Sequence, residues 1–411
     1  MPEKSPSLWT RSFTTLILGS AVTMLGHALS GFAVSLLVLD YTGSVMLYSL
    51  YMVAYCLPMV VMPLLAGPWM DNFSRVKMIY ALDFLSAFLY LGAWALLRRG
   101  LFSYGPFLLA VLLVGSIDGI YLVAFDSLFP TLLTEGNYRK GYAVSSLLYP
   151  LATIMTPVAS WIYQKWGIEP LFLANFFLFF AAAAFETQIK APETYREGKP
   201  AHHDRGYMLS ELKAGLRYLK GEPGLLVISV YFFFCMLCDH AAALMYLPYF
   251  KATAGLGVMM YSYIQAFGVA GRLLGGALQY RFRLPAERKL LITLGIYVCY
   301  SLLHGSLLFL PPWAMILNCF ITGILGITSY NIRLAATQSY VPDEYRGRFT
   351  GCFQMITQAG TVIGQLLGGA LGEIFPLRAL VLCFHGFLIL VCLGFLFPCS
   401  RYVRPVFNRD V

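Results

Sequence analysis

The feature that most constrains this chain is a succession of apolar runs, each long enough to cross a bilayer as a helix. A spanning helix needs roughly 20 predominantly apolar residues. Such runs lie at 12–39, 45–69, 77–97, 105–133, 141–164 and 168–189, and after one polar interruption at 224–250, 257–280, 290–310, 312–340, 349–372 and 377–399. The expected fold is therefore an all-α integral membrane protein of twelve transmembrane helices. Helix is demanded because backbone polar groups in lipid must be paired within the segment. Asp40-Tyr41-Thr42-Gly43-Ser44 and Pro311-Pro312 supply the breaks between neighbouring spans. Only 12% of the residues are charged, against about 25% in soluble domains, which excludes a water-soluble core of this size. The first run exceeds the roughly 7–15 residues of a signal core, and no small-x-small site follows it. It reads as the first spanning helix.

Basic residues set the expected orientation. With both termini in the cytoplasm, 22 of the 29 Lys and Arg residues lie on the cytoplasmic side and five on the other, with Arg272 and Arg333 inside spans. Positive charge stays inside, so the +9 net charge is a topology signal. Nucleic acid is not an expected partner, because no basic element stands apart from the membrane flanks. The nine cysteines lie in apolar stretches. Even the C-x-x-C of Cys235 and Cys238 reads as small packing residues, with no disulfide framework or metal site.

The polar stretch from Lys190 to Gly221 divides six spans from six. The expected domains are 1–189, a six-helix bundle; 190–222, a cytoplasmic linker; and 223–411, a second six-helix bundle. Within the linker, Leu209, Leu212, Leu216 and Leu219 fall on one helical face over 210–220, predicting a short amphipathic helix on the membrane surface. The halves echo each other at a shift of about 208 residues: Ala152-x-x-x-Thr156-Pro157-x-x-Ser160 aligns with Gly360-x-x-x-Gly364-Gln365-x-x-Gly368. Duplication around a central loop is a common transporter plan, with the substrate site near the midplane.

The loop after the second span reads Gly67-Pro68-Trp69-Met70-Asp71-Asn72-Phe73-Ser74-Arg75-Val76-Lys77. It resembles the signature G-x-L-x-D-R-x-G-R-R/K of the major facilitator superfamily at Gly67, Asp71 and Arg75, and departs from it at Trp69, Asn72 and Ser74. Val341-Pro342-Asp343-Glu344-Tyr345-Arg346-Gly347-Arg348, and Glu211 to Leu219 before span seven, are similar to the twelve-span exporters of macrolides and enterobactin. Gly360, Gly364 and Gly368 resemble the antiporter motif G-x-x-x-G-P-x-x-G-G, with Gln365 in place of Pro. The resemblance covers essentially the whole chain. It implies two pseudo-symmetric six-helix bundles in the major facilitator fold, a cytoplasmic latch at Asp71 and Arg75, and a cavity lined by spans one, four, seven and ten. As residues, the glycines allow close helix packing, and Asp71 beside basic neighbours can make charge-assisted bonds.

Ionisable groups inside spans are costly and face a cavity or a partner. His27, Asp118, Asp239 and His240 are the candidates for a substrate and proton cavity. Asp118 and Asp126 stand about 12 Å apart along a helix and about 80° around it, so both are expected to face one cavity. Asp126 and Arg333 are the candidate pair of a cytoplasmic gate, since removing one member of a desolvated pair costs about 3–5 kcal/mol.

The function expected from these residues and the resemblance is secondary active export of small amphipathic molecules by alternating access, with protons as coupling ion. Import of a siderophore, metal chelate or other nutrient is the alternative. The partners are a small-molecule substrate, protons and the lipid bilayer, and the chain is read as a monomer in the cell membrane. No cofactor is expected. An enzyme would need a compact set such as His-Glu-x-x-His, and direct ATP use a loop G-x-x-x-x-G-K-S/T; neither occurs.

Overall fold

A computed structural model describes residues 7–70, 73–134, 137–153, 155–191, 205–281 and 285–408. Fifteen α-helices follow one another among these residues. The first unit carries α1 (Arg11–Thr42), α3 (Arg75–Arg98), α4 (Tyr104–Leu128), α5 (Tyr138–Ala152), α6 (Met155–Trp166) and α7 (Glu169–Glu186). It also carries all but the first turns of α2 (Val45–Met70); Ser44–Leu50 group with the second unit. That unit holds α8 (Arg205–Gly221), α9 (Pro223–Ala252), α10 (Gly257–Arg281), α11 (Lys289–Ser306), α12 (Pro312–Tyr340), α13 (Asp343–Gly372), α14 (Leu377–Val391) and α15 (Ser400–Phe407).

Helix ends follow local chemistry. Thr10 caps α1 by accepting from the Phe13 amide at 3.2 Å. Gly43 ends the same helix in the left-handed region at φ 62°, where glycine has no Cβ to clash. Ser74 caps α3 through the Lys77 amide. Nine helices among the described residues are long and apolar enough to span a bilayer by length and composition. α10 and the glycine-rich α13 fall on two further runs that were expected to span, and the fifth expected run is built differently from the expectation. Instead of one helix over 141–164, α5 ends at Ala152 and α6 begins at Met155. Pro157 explains the break: it has no N–H to offer the Thr153 carbonyl and its ring crowds it. That carbonyl accepts from the Thr156 amide instead.

Each unit has its own core. In the first, Phe13, Leu16, Ile79, Ala124, Leu128 and Phe129 form a buried cluster from α1, α3, α4 and the 3-10 turn that follows α4. In the second, Leu225, Ile228, Tyr231 and Cys238 of α9 meet Phe349 of α13, Leu388 of α14 and Val403 of α15. The amphipathic helix is longer than expected, starting at Arg205, and it docks on protein. Gly215 lies against Cys352 and Arg348 of α13, and Tyr218 stacks on Tyr345 at 4.5 Å. The closing helix α15 was not expected from the sequence. Val403, Val406 and Phe407 are its buried face, and Asn408 accepts from the Leu290 amide at 3.0 Å.

The internal repeat shows in the packing. A Cβ on Gly115 of α4 would strike the Tyr55 carbonyl oxygen of α2, and one on Gly323 of α12 the Gly268 carbonyl oxygen of α10. The two glycines stand 208 positions apart, matching the shift between the halves, so each half brings its second and fourth spans together through the same residue.

Candidate functional site

The first unit places an acid at mid-helix against two polar partners. Asp118 lies on the stripe of α4 that also buries Val111, Gly115, Tyr121, Ala124 and Leu128, and is itself only 5% exposed. Gly115 and Gly119, on either side of it, let α2 approach α4: a Cβ on Gly119 would stand 3.2 Å from the Met59 Cα. That approach brings the Tyr55 hydroxyl to Asp118 Oδ2, to which it donates at 2.8 Å. From α1, His27 Nδ1 stands 3.6 Å from the same oxygen, beyond hydrogen-bond distance but close enough for a charge on the ring to count. The imidazole meets the ring of Phe179 edge-on, centroids 5.3 Å apart. Tyr55 escaped the sequence reading; the Gly115-x-x-x-Gly119 spacing was the signal that could have found its helix.

The second unit holds a different arrangement. Asp239 of α9 turns one buried oxygen, Oδ1, toward His385 Nδ1 of α14 at 3.9 Å. His385 is almost fully buried and neither ring nitrogen has a hydrogen-bond partner. His304 of α11 lies beside it, ring centroids 5.4 Å apart, and Tyr300 covers His304 at 4.3 Å. Arg272 of α10 acts electrostatically on Asp239. His240 faces another way. Its Nδ1 lies 3.0 Å from the Met236 carbonyl and 3.5 Å from Thr361 Oγ1 of α13. Asp239 and His240 thus belong to separate polar contacts, as neighbours about 100° apart on a helix must.

Asp126 is exposed whereas Asp118, eight positions earlier, is buried, so the two do not share one environment. Arg333, 8% exposed, lies over the rings of Phe353, Phe232 and Tyr330 at 4.7, 5.0 and 5.1 Å. Its Nε has no hydrogen-bond partner. Arg75 donates to the Ser127 carbonyl at 3.0 Å, tying the start of α3 to the end of α4. Asp71 lies outside the described residues. The three glycines of α13 meet successive carbonyls of α9: Gly360 at Phe233, Gly364 at Leu237 and Gly368 at Ala241. The four-residue rhythm on both helices means they run parallel with no room for a side chain between them.

Comparison with known proteins supplies the wider frame. A family model described as Major Facilitator Superfamily matches residues 16–351. Macrolide efflux protein A of Streptococcus pyogenes is 24% identical over 98% of this chain and 97% of its own length. The multidrug efflux pump Tap of Mycolicibacterium fortuitum is 26% identical over 89% of this chain and 90% of its own. Among solved structures, the peptide transporter POT in complex with alafosfalin superposes with a TM-score of 0.72 at 11% identity, covering 98% of this chain and 97% of that one. The nucleoside transporter NupG gives 0.71 at 14%, covering 94% and 99%. At such identities these likenesses speak to the fold.

Proposed function

Because this chain belongs to the major facilitator superfamily, a family of multi-pass transporters of small molecules, we propose that it exports small amphipathic compounds in exchange for protons. The observation that carries the reading is the buried Asp118 with Tyr55 and His27 around it. A carboxyl withdrawn from water is costly when charged unless it is well paired. Its proton occupancy therefore responds to whatever the cavity admits, which is what an exchanger requires. Relatives named for macrolide and multidrug efflux support export and an adaptable, largely apolar substrate class.

In this reading His27, Asp118, Asp239 and His240 serve the cavity. Asp126 with Arg333, and Asp71 with Arg75, serve the cytoplasmic gate, while the α13 glycines set how closely α13 approaches α9. The chain works as a monomer in the cell membrane with both ends in the cytoplasm. Charge reversal at Asp126 or Arg333 should impair transport, and the swapped double variant should recover at least one of the two losses.

Everted vesicles with an imposed proton gradient test the proposal, using erythromycin and ethidium as probes. Wild type should accumulate at least one of them when the lumen is acid and release it when the gradient is collapsed. Asp118→Asn should lower the gradient-driven rate by about tenfold, the scale of one charge-assisted hydrogen bond of ~1.5–3 kcal/mol. Undiminished gradient dependence in Asp118→Asn would remove Asp118 from the coupling. Transport in the opposite direction would convert the exporter into an importer.

A further inference from the structure

A second acidic pair lies in the first unit, away from Asp118. Asp83 of α3 is 2% exposed and Glu186, the last residue of α7, is 0% exposed. Their carboxyls are within hydrogen-bond reach of each other. The surroundings are built for them. Gly19 of α1 leaves the space that Glu186 fills: a Cβ there would lie 2.6 Å from the Glu186 Cγ. Thr23, one turn further along α1, donates to Asp83 Oδ2 at 2.6 Å. Tyr121 of α4 donates to Glu186 Oε1 at 3.0 Å.

These donors account for one oxygen of each acid. Glu186 Oε2 is buried and has no hydrogen-bond partner. Ser20, fully buried between Gly19 and Thr23 and within reach of the Tyr121 hydroxyl, also has an unpartnered oxygen. The charged groups near the pair offer no relief. Asp118, three residues before Tyr121 on α4, is the further charge that bears on Asp83, and it is negative. The nearest basic group along α1 is His27, a turn beyond Thr23, and it is engaged with Asp118. Among the described residues no Lys, Arg or His acts on either acid. Two ionised carboxylates are acceptors only, so an ionised pair leaves Oε2 facing an acceptor in an apolar bundle. A single proton between them turns one acid into a donor and satisfies the orphaned oxygen, and two like charges at contact distance cannot both persist there.

We propose that Asp83 and Glu186 hold one proton between them and form an exchangeable proton site of the first unit, separate from Asp118. The site lies eight residues into α3 and at the closing end of α7, and Tyr121 links it to the face of α4 that carries Asp118. Proton loss leaves two facing acceptors and forces α3 and α7 apart, so occupancy of the site biases how α1, α3 and α7 pack. That this exchange accompanies transport rests on the proton-coupled reading above; the shared proton itself does not.

Infrared spectra of the full chain in proteoliposomes near neutral pH test the inference. The wild type should show one more protonated carboxyl carbonyl than the Asp83→Asn, Glu186→Gln double variant. A difference of none, or of two, overturns the proposal. If the double variant does not fold, wild type grown with side-chain carboxyl-13C aspartate in one sample and glutamate in another decides: the shared proton makes part of the protonated band shift with at least one of the two labels. A band that shifts with neither overturns the proposal, because Asp83 and Glu186 would then both be ionised. A transport assay indifferent to the proton gradient would sink the coupled-exporter reading and leave the spectral count untouched, so the two failures are distinguishable.

Discussion

At the residue scale, the polar groups inside the bundles differ in how they are satisfied, and that predicts how they respond to substitution. Asp118 receives a full hydrogen bond from Tyr55 and only a longer approach from His27. Tyr55→Phe should therefore lower thermal stability in detergent by about 1 kcal/mol, the net worth of one buried hydrogen bond. Measured by scanning fluorimetry, an unchanged midpoint would show that the contact is dispensable. Arg333 presents the opposite case, a cation held by rings. Its guanidinium lies over Phe353, Phe232 and Tyr330, and a planar cation stacks where an ammonium cannot. Arg333→Lys keeps the charge and should still cost about 1 kcal/mol, within the range of one desolvated cation–π contact. A stability equal to wild type would mean that charge alone matters there.

At the element scale, glycines decide which helices touch. Gly364 faces the Leu237 carbonyl with no space for a methyl group, whereas Gly351, on the same helix, has open space around it. Gly364→Ala must push α13 off α9, an overpacking cost of about 1–3 kcal/mol. Gly351→Ala should be neutral or stabilising by up to ~1 kcal/mol, since alanine is the better helix former. Thermal midpoints of the two variants check this, and equal effects would argue against the tight α9–α13 contact. Helix termini carry a pH response. Glu373, at the end of α13, accepts from the Met46 amide and the Ser44 hydroxyl. The Met46 amide first, then Ser44, holds this exposed carboxyl below the ordinary glutamate value. The contribution is therefore complete above that ordinary value and is lost as pH falls through the lowered one. Hydrogen-exchange protection of the Met46 amide, taken relative to the intrinsic rate at each pH, should fall on acidification in wild type. In Glu373→Ala that protection should already be low near neutral pH, without the acid-dependent step.

At the scale of the whole molecule, the charge asymmetry makes a topological prediction. A cysteine introduced at Ser7 or Asn408 in a chain stripped of native cysteines should react with an impermeant maleimide only from the cytoplasmic side. One placed at Leu101, in the turn between α3 and α4, should react only from outside. Labelling of the two ends from opposite faces would require an odd number of spans and would break the division into two bundles of six.

Apolar run length determined the class, because burying a backbone in lipid leaves helix as the one economical answer, and it located nine helices of spanning length and composition among the described residues; it did not foresee the break at Pro157 or the closing helix α15. The spacing of Gly360, Gly364 and Gly368 marked a close-packing face, since every fourth residue returns to the same side. The sequence likewise named Asp118, Asp239 and Arg333 as groups that needed partners. It could not name the partners. Tyr55 lies 63 positions from Asp118, His385 is nearly 150 positions from Asp239, and the rings around Arg333 come from three helices. Asp83 and Glu186 look unremarkable alone, one a lone acid in a span and the other a residue at a helix end. Only when α3 and α7 are packed side by side do their carboxyls meet, with no Lys, Arg or His among the described residues acting on either. Periodicity records which face of a helix is buried; what it is buried against depends on how the helices are arranged, and that is written in no single segment.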